Sequence, residues 1–302
     1  MGRIFVVGSL NIDLVMQSGR LPLQGETMVG DAFTIHLGGK GQNQAVCAAK
    51  LGGEVRFCGC VGDDVFADRI HSNCAGHNIN TDHVRTIEGQ SSGIALIHVI
   101  DGDNRIMLIP GANNNVTHDQ VTSFISEATQ GDILVVQLEI PADVVAHAIR
   151  LAHAQGLTVI FNPAPMKDLG PVLLDAVDVL VVNRIELSMM SSKDDVVEAC
   201  DEILSKGVKH IVVTLGKDGY LYKTSGSLIE KGGYVVDVVD TTGAGDAFVG
   251  AFAYGLSCKH AIDKSLSVAN MTAAISVGKL GAQTAYPTRD ELDMFIGKKH
   301  RT

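Results

Sequence analysis

The sequence predicts an α/β fold: a three-layer sandwich in which helices cover both faces of a mainly parallel central sheet. Short apolar runs rich in β-branched residues alternate along the chain with longer segments of helical periodicity. Runs such as Ile211-Val-Val-Thr214 are continuously apolar, which is typical of strands buried on both faces. A chain of 302 residues, 46% of them apolar and 19% charged, can bury the core that such a fold needs.

The elements of the sandwich follow from these runs and from the turn residues that bound them. Strands are predicted at residues 4–8, 55–61, 133–138, 158–162, 177–182 and 210–214. Helices are predicted at residues 41–51, 66–76, 117–127, 141–155, 196–206, 244–256 and 261–277. A further strand over residues 236–239 is expected to lead into Asp240.

Two stretches, about 13–37 and 92–110, break this alternation because they read as strands without an intervening helix. Examples are Thr27-Met-Val-Gly30 and Gly93-Ile-Ala-Leu-Ile-His-Val-Ile100. Gly102, between two aspartates, predicts a hairpin turn between strands at 94–100 and 105–109. We expect the two stretches to pair as a small β-sheet lid over the carboxyl edge of the main sheet, inserted into a single domain spanning 1–302.

Composition narrows the class of protein. With 24 basic and 34 acidic residues the net charge is −10, so the basic footprint of a nucleic-acid-binding protein is missing. No run approaches the ~20 apolar residues of a membrane span, and the N-terminus does not read as a signal peptide. The six cysteines are scattered without a CxxC pair, which fits a reducing compartment. We therefore expect a cytoplasmic protein whose partners include neither nucleic acid nor membrane.

Polar side chains follow two of the predicted strands. Asn11 and Asp13 come just after the first strand and, two residues apart in extended chain, point to the same side. An amide and a carboxylate on one face can bind the hydroxyls of a polyol, and ligands of open α/β sheets bind at this edge. Glu139, at the end of the third strand, could bind a further hydroxyl. Taken alone, Asn11 and Asp13 are better explained as an Asx turn with a helix or loop cap, and the alternative for Glu139 is an exposed charge at the strand end.

The segment Leu37-Gly-Gly-Lys-Gly-Gln-Asn-Gln-Ala45 is a glycine-rich loop that opens a helix. Its backbone can approach a ligand closely, and Lys40 and Asn43 would add polar contacts. The GxxxxGK[ST] phosphate loop and the GxGxxG dinucleotide fingerprint are both missing, which disfavours a nicotinamide dehydrogenase. By itself, such a loop is compatible with several functions.

Asn183 and Glu186 are three residues apart after a predicted strand, so they would share one helical turn. They could hold the water shell of Mg²⁺, a cation that prefers oxygen ligands. They also match a capping box, with Asn183 as the N-cap and Glu186 at the third helical position. Both roles are open at this point.

The segment Asp240-Thr-Thr-Gly-Ala-Gly-Asp246 places two aspartates around a small-residue turn in front of an apolar helix. Helix N-termini carry N–H groups without intrahelical partners, and these can bind an anion. Asp246 beside them could accept a proton from an attacking hydroxyl while the amides stabilise phosphate charge. The alternative is a capped and tightly packed helix.

Together these motifs closely resemble the signatures of the PfkB/ribokinase-type family of carbohydrate kinases. SLNID, LGGKGQNQA, VQLE, FNPAP, NRIE, TLGKDG, DTTGAGD and GAQ occur here in that family's order over nearly the whole chain. The resemblance implies an α/β sandwich with a small β lid, and ATP-dependent, Mg²⁺-assisted phosphorylation of a sugar hydroxymethyl group. It also implies K⁺ as an activator.

The resemblance also assigns roles to residues. Asp246 would be the catalytic base, and the amides of Gly243, Ala244 and Gly245 would form the anion hole. The sugar would be held by Asn11, Asp13, Gly39, Lys40, Asn43, Glu139 and Asp246. Asn183 and Glu186 would orient Mg²⁺ through water, and the nucleotide would contact Asn183, Thr214, Gly216, Gly245 and Asn270. The K⁺ site would consist of the Asp240 carboxylate with carbonyls of Thr242, Ser276, Lys279 and Gly281.

D-ribose is the expected acceptor, since the Asn11 and Asp13 pair favours vicinal hydroxyls. The alternatives are a kinase for deoxyribose, fructose or a ribonucleoside, and a catalytically silent sugar-binding regulator on the same fold. Apolar residues of the lid strands would be costly to expose in a monomer, which predicts a homodimer formed through the lid. The candidates are Phe33, Ile35, Ile94, Leu96, Ile106 and Leu108.

Overall fold

Regular elements cover most of the chain in the computed structural model, which describes residues 1–101, 103–167, 169, 172 and 174–299. In these residues the strands are β1 (Ile4–Val7), β2 (Asn11–Gln17), β3 (Ala32–Gly38), β4 (Val55–Gly62), β5 (Asn80–Ile87), β6 (Gly93–Ile100), β7 (Asp103–Ile109), β8 (Ile133–Val136), β9 (Thr158–Phe161), β10 (Val179–Asn183), β11 (His210–Thr214), β12 (Tyr220–Lys223) and β13 (Leu228–Lys231). The α-helices are α1 (Lys40–Lys50), α2 (Val65–Gly76), α3 (His118–Ile125), α4 (Ala142–Ala154), α5 (Arg184–Met190), α6 (Val196–Ser205), α7 (Ala244–Ser257), α8 (Ile262–Ser276) and α9 (Arg289–Lys299).

The central sheet has the strand order β13-β12-β11-β10-β9-β8-β1-β4-β5. All neighbours from β11 to β5 pair in parallel, and only β12 and β13 at one edge are antiparallel. β1 lies between β4 and β8, so the order of the strands reverses around it. Ligands of open α/β sheets bind at such a reversal, outside the carboxyl ends of the strands.

Helices pack on both faces of this sheet. In β1, Ile4 and Val6 join the apolar cluster formed with α1, α2, α7 and α8. Phe5 and Val7 point the other way, into the cluster formed with α3, α4 and α6. The predicted three-layer sandwich is therefore confirmed. Each strand and helix predicted for it is found within two residues of its expected bounds, except the strand at 236–239.

The four remaining strands form a small sheet in the order β3-β2-β6-β7. β2 and β6 pair in parallel from Asn11 opposite Gly93, and the two outer pairs are antiparallel. The predicted pairing of the two strand-like stretches is confirmed, whereas residues 27–30 are not a strand. The turn predicted at Gly102 lies outside the described residues. A single domain with this sheet as its lid stays a prediction.

The prediction of a strand at residues 236–239 is wrong. The chain leaves the sheet after β13, and residues 232–238 run without regular structure. Val235 and Val238 are 93% and 63% exposed, so this valine-rich run is not buried in a sheet as its composition suggested. The run instead forms one wall of a cleft. Tertiary context outweighed β-propensity here.

None of the helices in the described ranges combines the length and the apolar character that a membrane span requires.

Candidate active site

Asp246 is the centre of the site, in the first turn of α7. The helix begins after Gly243, whose φ of 73° lies in the left-handed region that favours glycine. The carboxylate is 5% exposed, and two amides of α1 donate to it. Asn43 Nδ2 lies 3.0 Å from Oδ2, and Gln44 Nε2 lies 2.9 Å from Oδ1. Both oxygens are thus fixed in position.

These hydrogen bonds need α1 and α7 to approach closely. A Cβ built on Gly250 would lie 2.4 Å from the carbonyl oxygen of Gln44, so only glycine fits at this crossing. Gln44 itself is held by neighbours on the central sheet. Its Oε1 accepts from Gln137 Nε2 at 2.6 Å, and its Nε2 also contacts Asn162 Oδ1 at 3.1 Å. The orientation of Asp246 therefore depends on a buried amide network.

Glu139 organises the side of the site nearest β1 and β8. Its Oε2 accepts from Ser9 Oγ at 2.5 Å and from the backbone N–H of Lys40 at 2.9 Å. Asn11 Nδ2 lies 3.5 Å from the same oxygen. Asn11 Oδ1 accepts from Asn113 Nδ2 at 2.7 Å, which fixes the amide of Asn11. The predicted polyol-binding groups are thus brought together at the carboxyl ends of the two strands.

Asp13 lies on the small sheet, opposite His36 and Ala95. Burial raises the pKa of its carboxyl to about 7, and the charges of Glu139 and Asp246 add to this rise. The three carboxyl groups therefore share one region. A region that crowds carboxyl groups in this way can accept hydrogen bonds from hydroxyl donors.

Lys40 supplies the compensating positive charge. The charge of Asp246 is the main cause that raises the pKa of the Lys40 ammonium, and Glu139 and Glu186 contribute in the same direction against burial. The ammonium thus lies among three carboxylates, of which Asp246 is on α7, Glu186 is on α5 and Glu139 follows β8. Gly39, just before it, has a φ of 90°, and a Cβ there would lie 2.8 Å from the backbone nitrogen of Asn11.

A cleft of about 630 Å³ opens beside the N-terminus of α7. The predicted nucleotide residues Thr214, Gly216, Gly245 and Asn270 line it, as does Ala244. Other lining groups are apolar and include Val236, Val238, Phe248, Ala273 and Val277. Asn270 is 6% exposed and donates to the carbonyl of Gly232 at 3.0 Å. Apolar walls with a few polar groups suit a flat heterocycle.

Asn183 and Glu186 form the predicted capping box of α5. Asn183 Oδ1 accepts from the backbone nitrogen of Glu186 at 2.8 Å, and Glu186 Oε2 accepts from that of Asn183 at 2.9 Å. Burial raises the pKa of Glu186, although the backbone bond and Lys40 oppose this rise. Neither residue lines the cleft described above. The cap is thus observed, and the half-buried carboxylate of Glu186 still faces the charge of Lys40.

Asp240 ties two loops together behind α7. Its Oδ1 accepts from both the backbone nitrogen and the hydroxyl of Thr242, at 2.9 and 2.7 Å, and its Oδ2 accepts from Gly281 N at 2.8 Å. Burial alone would raise the pKa of Asp240, but these hydrogen bonds outweigh it and hold the pKa below its usual value.

The other residues predicted for the cation site lie on the loop that Asp240 binds. Ser276 directs its hydroxyl to Ala273 O at 2.8 Å, and Ser276 O accepts from Lys279 N at 3.3 Å. The Lys279 ammonium pairs with Glu291 at 2.6 Å. Of the four residues predicted to offer carbonyls, Thr242 and Gly281 are joined directly to the Asp240 carboxylate by hydrogen bonds. In the described part of the chain, no group of three or more His, Cys, Asp or Glu could hold a metal ion.

Of the three residues predicted as the anion hole, Ala244 and Gly245 line the cleft and Gly243 does not. The Ala244 N–H makes only a long hydrogen bond, to Thr241 O at 3.3 Å. The first hydrogen bond within the helix is made by the Ala247 N–H, which donates to Gly243 O at 2.8 Å. The N-terminus of α7 therefore faces the cleft with its positive dipole end.

Several functional neighbours escaped the sequence reasoning. Gln44 and Gln137 lie inside quoted motifs but were not singled out. Gln283 likewise belongs to a motif, GAQ, and its Nε2 donates to Asn43 Oδ1 at 2.9 Å, whereas Asn113 comes from a polar run outside the motifs. A buried amide in a polar run looks like any loop residue, so only the partner in space reveals it.

Known proteins are similar to this chain over nearly its whole length. The model of the family described as pfkB family carbohydrate kinase matches residues 1–289. A ribokinase of Bacillus subtilis is 35% identical over 98% of this chain and 100% of its own length. A deoxyribokinase of Salmonella typhi is 34% identical over 97% and 98% of the two chains.

Solved structures show the same similarity. A ribokinase from Thermotoga maritima has a TM-score of 0.90 at 33% identity, covering 98% of this chain and 100% of that one. Arabidopsis thaliana ribokinase complexed with ribose and ATP also has a TM-score of 0.90, at 30% identity, covering 98% of this chain and 99% of the other.

The raised pKa of Asp13 makes stability depend on pH. As pH rises from about 4 to 7, the unfolded chain loses the Asp13 proton while the folded protein keeps it, so burying this carboxyl destabilises the fold increasingly. We expect Asp13→Asn to exceed the wild type in free energy of unfolding by ~1–3 kcal/mol at pH 8 and to match it near pH 4. Urea denaturation at both pH values measures this. Asp31→Asn, at an exposed carboxylate, is the control, and an equal gain there would contradict the assignment.

Proposed function

The chain belongs to the pfkB family of carbohydrate kinases and acts as an ATP-dependent sugar kinase, and on that premise we propose that its acceptor is D-ribose, phosphorylated on the primary hydroxyl. The observation that carries the proposal is the position of Asp246. Its carboxylate lies in the first turn of α7, whose residues Ala244 and Gly245 line the cleft, and its charge acts on Asp13 and Lys40, two of the proposed sugar contacts. One carboxylate can therefore meet a sugar hydroxyl and the end of a nucleotide at once.

In this proposal the sugar lies between the small sheet and the edge of the central sheet. Asn11, Asp13 and Glu139 bind its secondary hydroxyls, since all three converge on one region. Gly39, Lys40 and Asn43 complete the contacts, because the turn at Gly39 places the start of α1 against the same space. The primary hydroxyl then points to Asp246.

Asp246 acts as the base. The hydroxyl transfers its proton to the carboxylate as the bond to phosphorus forms, and the bond to the leaving diphosphate breaks. The amides of Gly243, Ala244 and Gly245 face the negative charge on the transferring group, and the Lys40 ammonium stands near the same carboxylate. Asn43 and Gln44 keep the accepting oxygens in place throughout.

The nucleotide occupies the cleft of about 630 Å³. Asn270 and the apolar walls take the base, and Thr214, Gly216 and Asn183 lie on the side of the phosphates. Asn183 and Glu186 would hold Mg²⁺ through water, and the ion would neutralise triphosphate charge. Oxygen groups of this kind are what Mg²⁺ prefers.

We also propose a K⁺ site at Asp240 with the carbonyls of Thr242, Ser276, Lys279 and Gly281. Its support is the direct link between the two loops, made by Asp240 and Gly281. Because Asp240 is only six residues before Asp246, a cation there would stiffen the turn that carries the anion hole.

The second candidate acceptor is 2-deoxyribose. It is favoured by the relative from Salmonella typhi, a deoxyribokinase almost as similar in sequence as the ribokinases. The close group of Asn11, Asp13 and Glu139 favours ribose, because a missing hydroxyl would leave a buried polar group without a partner.

We further propose that two copies associate through the small sheet, and that the protein works in the cytoplasm. Phe33 and Met107, 57% and 63% exposed, lie on one face of this sheet, while Ile106, 62% exposed, lies on the other. An apolar sheet face of this kind fits a second copy of itself. The cytoplasm is supported by the cysteines: all six are free thiols, and five of them are buried.

Asp246→Asn tests the base. We expect kcat to fall by roughly 10²–10⁴-fold, because an amide cannot take up the proton. ATP affinity, measured by calorimetry, should stay near that of the wild type, because the cleft lining does not include this side chain. A variant with nearly normal turnover would remove Asp246 from this role.

A panel of acceptors tests the substrate. We expect D-ribose to give the highest kcat/KM and 2-deoxyribose a value at least about tenfold lower, since one hydroxyl contact is lost. The panel also includes fructose and a ribonucleoside, and it is run in K⁺ and in Na⁺ at equal ionic strength. The activity should be higher in K⁺, and Asp240→Asn should remove that difference. Preference for deoxyribose would overturn the ribose assignment but not the kinase.

The dimer is tested by sedimentation equilibrium of Met107→Lys. A lysine on the exposed face should raise the dimer dissociation constant by about tenfold or more, because its charge loses water at the interface. The control is Val65→Lys, at a valine that is 75% exposed on α2. A wild type that remains monomeric at micromolar concentration would refute the dimer.

A further inference from the structure

A second cavity, of about 340 Å³, lies away from the site described above. It is bounded by β3 of the small sheet, by the end of α1, by α2 and by the loop at residues 282–284. Ile35 and Leu37 form an apolar part of its lining, and Asn73 and Gln283 form a polar part. None of its lining residues belongs to the nucleotide cleft.

The charge of this cavity is one-sided. Four basic side chains line it, namely His36, Lys50, Arg69 and His77, and the lining contains no acid. Within the described residues, neither Lys50 nor Arg69 forms an ion pair. Burial lowers the pKa of His77, and the charge of Lys50 lowers it further, so these two groups are near neighbours. The lowered pKa favours the neutral form of His77, so Lys50 and Arg69 are the groups that give the cavity its positive charge, on a chain whose net charge is −10.

A purely structural role explains only part of this arrangement. Lys50 is in the last turn of α1, where a cation complements the helix dipole, and its Nζ donates to the carbonyl of Gln283 at 3.1 Å. Arg69 lies in the middle of α2, far from either end, and is exposed. Helix capping therefore gives no reason for the guanidinium to line the cavity.

We propose that this cavity binds a phosphate monoester with a small carbon skeleton, at a site separate from the active site. Arg69 and Lys50 take the phosphate, since a guanidinium can bind two phosphate oxygens at once. Ile35 and Leu37 pack on the carbon skeleton. A volume of about 340 Å³ exceeds what a bare phosphate ion fills and is at the lower end of ligand cavities.

The cavity is connected to Asp246 by hydrogen bonds. Asn73 Nδ2 donates to Gln283 Oε1 at 2.9 Å, and Gln283 Nε2 donates to Asn43 Oδ1 at 2.9 Å. Asn43 then donates to the carboxylate of Asp246 at 3.0 Å. Because β3 also belongs to the small sheet, an occupant touches both the proposed lid and the chain of amides that orients Asp246. Binding here is therefore expected to change the kinetics of sugar phosphorylation.

Binding is tested by calorimetry on the full chain, with glycerol 3-phosphate and inorganic phosphate titrated separately at constant ionic strength. Arg69→Gln should weaken binding of glycerol 3-phosphate by about tenfold or more. Arg150→Gln, an equal change of charge at an exposed residue of α4, is the control and should bind as the wild type does. Because Arg69 is exposed, its replacement leaves the fold intact.

The outcomes separate the sources of the phosphate group. Tighter binding of glycerol 3-phosphate than of inorganic phosphate, lost in Arg69→Gln alone, supports the monoester site. Equal affinity for the two ligands overturns the role of Ile35 and Leu37. Unchanged binding in Arg69→Gln, or no binding to the wild type, overturns the site itself. Binding is read without turnover, so these results are independent of the proposed kinase reaction.

Coupling to the reaction, which rests on the proposed function, is tested by kinetics. Saturating glycerol 3-phosphate should change kcat or the KM for sugar by at least about twofold in the wild type and in Arg150→Gln, but not in Arg69→Gln. Identical kinetics with and without the ligand, in a wild type that binds it, would overturn the coupling.

Discussion

The contact between α1 and the first turn of α7 is the constraint on which the rest of the site depends. Asn43 and Gln44 reach across about 200 residues of sequence to hold both oxygens of Asp246. That reach exists only because Gly250 lets the two helices touch. Lys40 begins the same helix, so the cation, the two amides and the carboxylate are set by one packing contact. Part of the cleft lining is fixed by it too, since Ala244 and Gly245 at the start of α7 belong to that lining.

Electrostatics at this contact is arranged for ligands at some expense of stability. Asp13, Glu139 and Asp246 crowd one region, and the pKa of Asp13 rises to about 7 as a result of burial and of its acidic neighbours. The Lys40 ammonium neutralises only part of that negative charge. Hydroxyl groups of a ligand would donate hydrogen bonds to the carboxylate oxygens that have no donor from the protein. Such local conflict between stability and charge is common at binding sites and rare elsewhere.

Local patterns in the sequence predicted the fold because buried strands consist of apolar runs, as in Ile211–Thr214. The motifs were found at the carboxyl ends of these strands. Asn113 and Gln283 could not be predicted in the same way. Each is an amide outside the predicted strands and helices, and its importance comes from a partner more than 100 residues distant in sequence. Residues 236–239 misled for the opposite reason: four residues rich in valine look like a strand, but the chain has already left the sheet. The edge strand β5 was not predicted either, because none of its residues is buried and its sequence therefore lacks an apolar run.

The connection from β1 to β2 is the shortest of those that link the two sheets. β1 ends at Val7 in the large sheet and β2 starts at Asn11 in the small one, so three residues carry the chain from one to the other. Asn11 and Asp13 are therefore borne by the moving part of any hinge at this place, while Asp246 stays with the body. Tilting the small sheet inward would carry the bound sugar toward Asp246 in the same stroke, so substrate capture and alignment for reaction would be a single mechanical event.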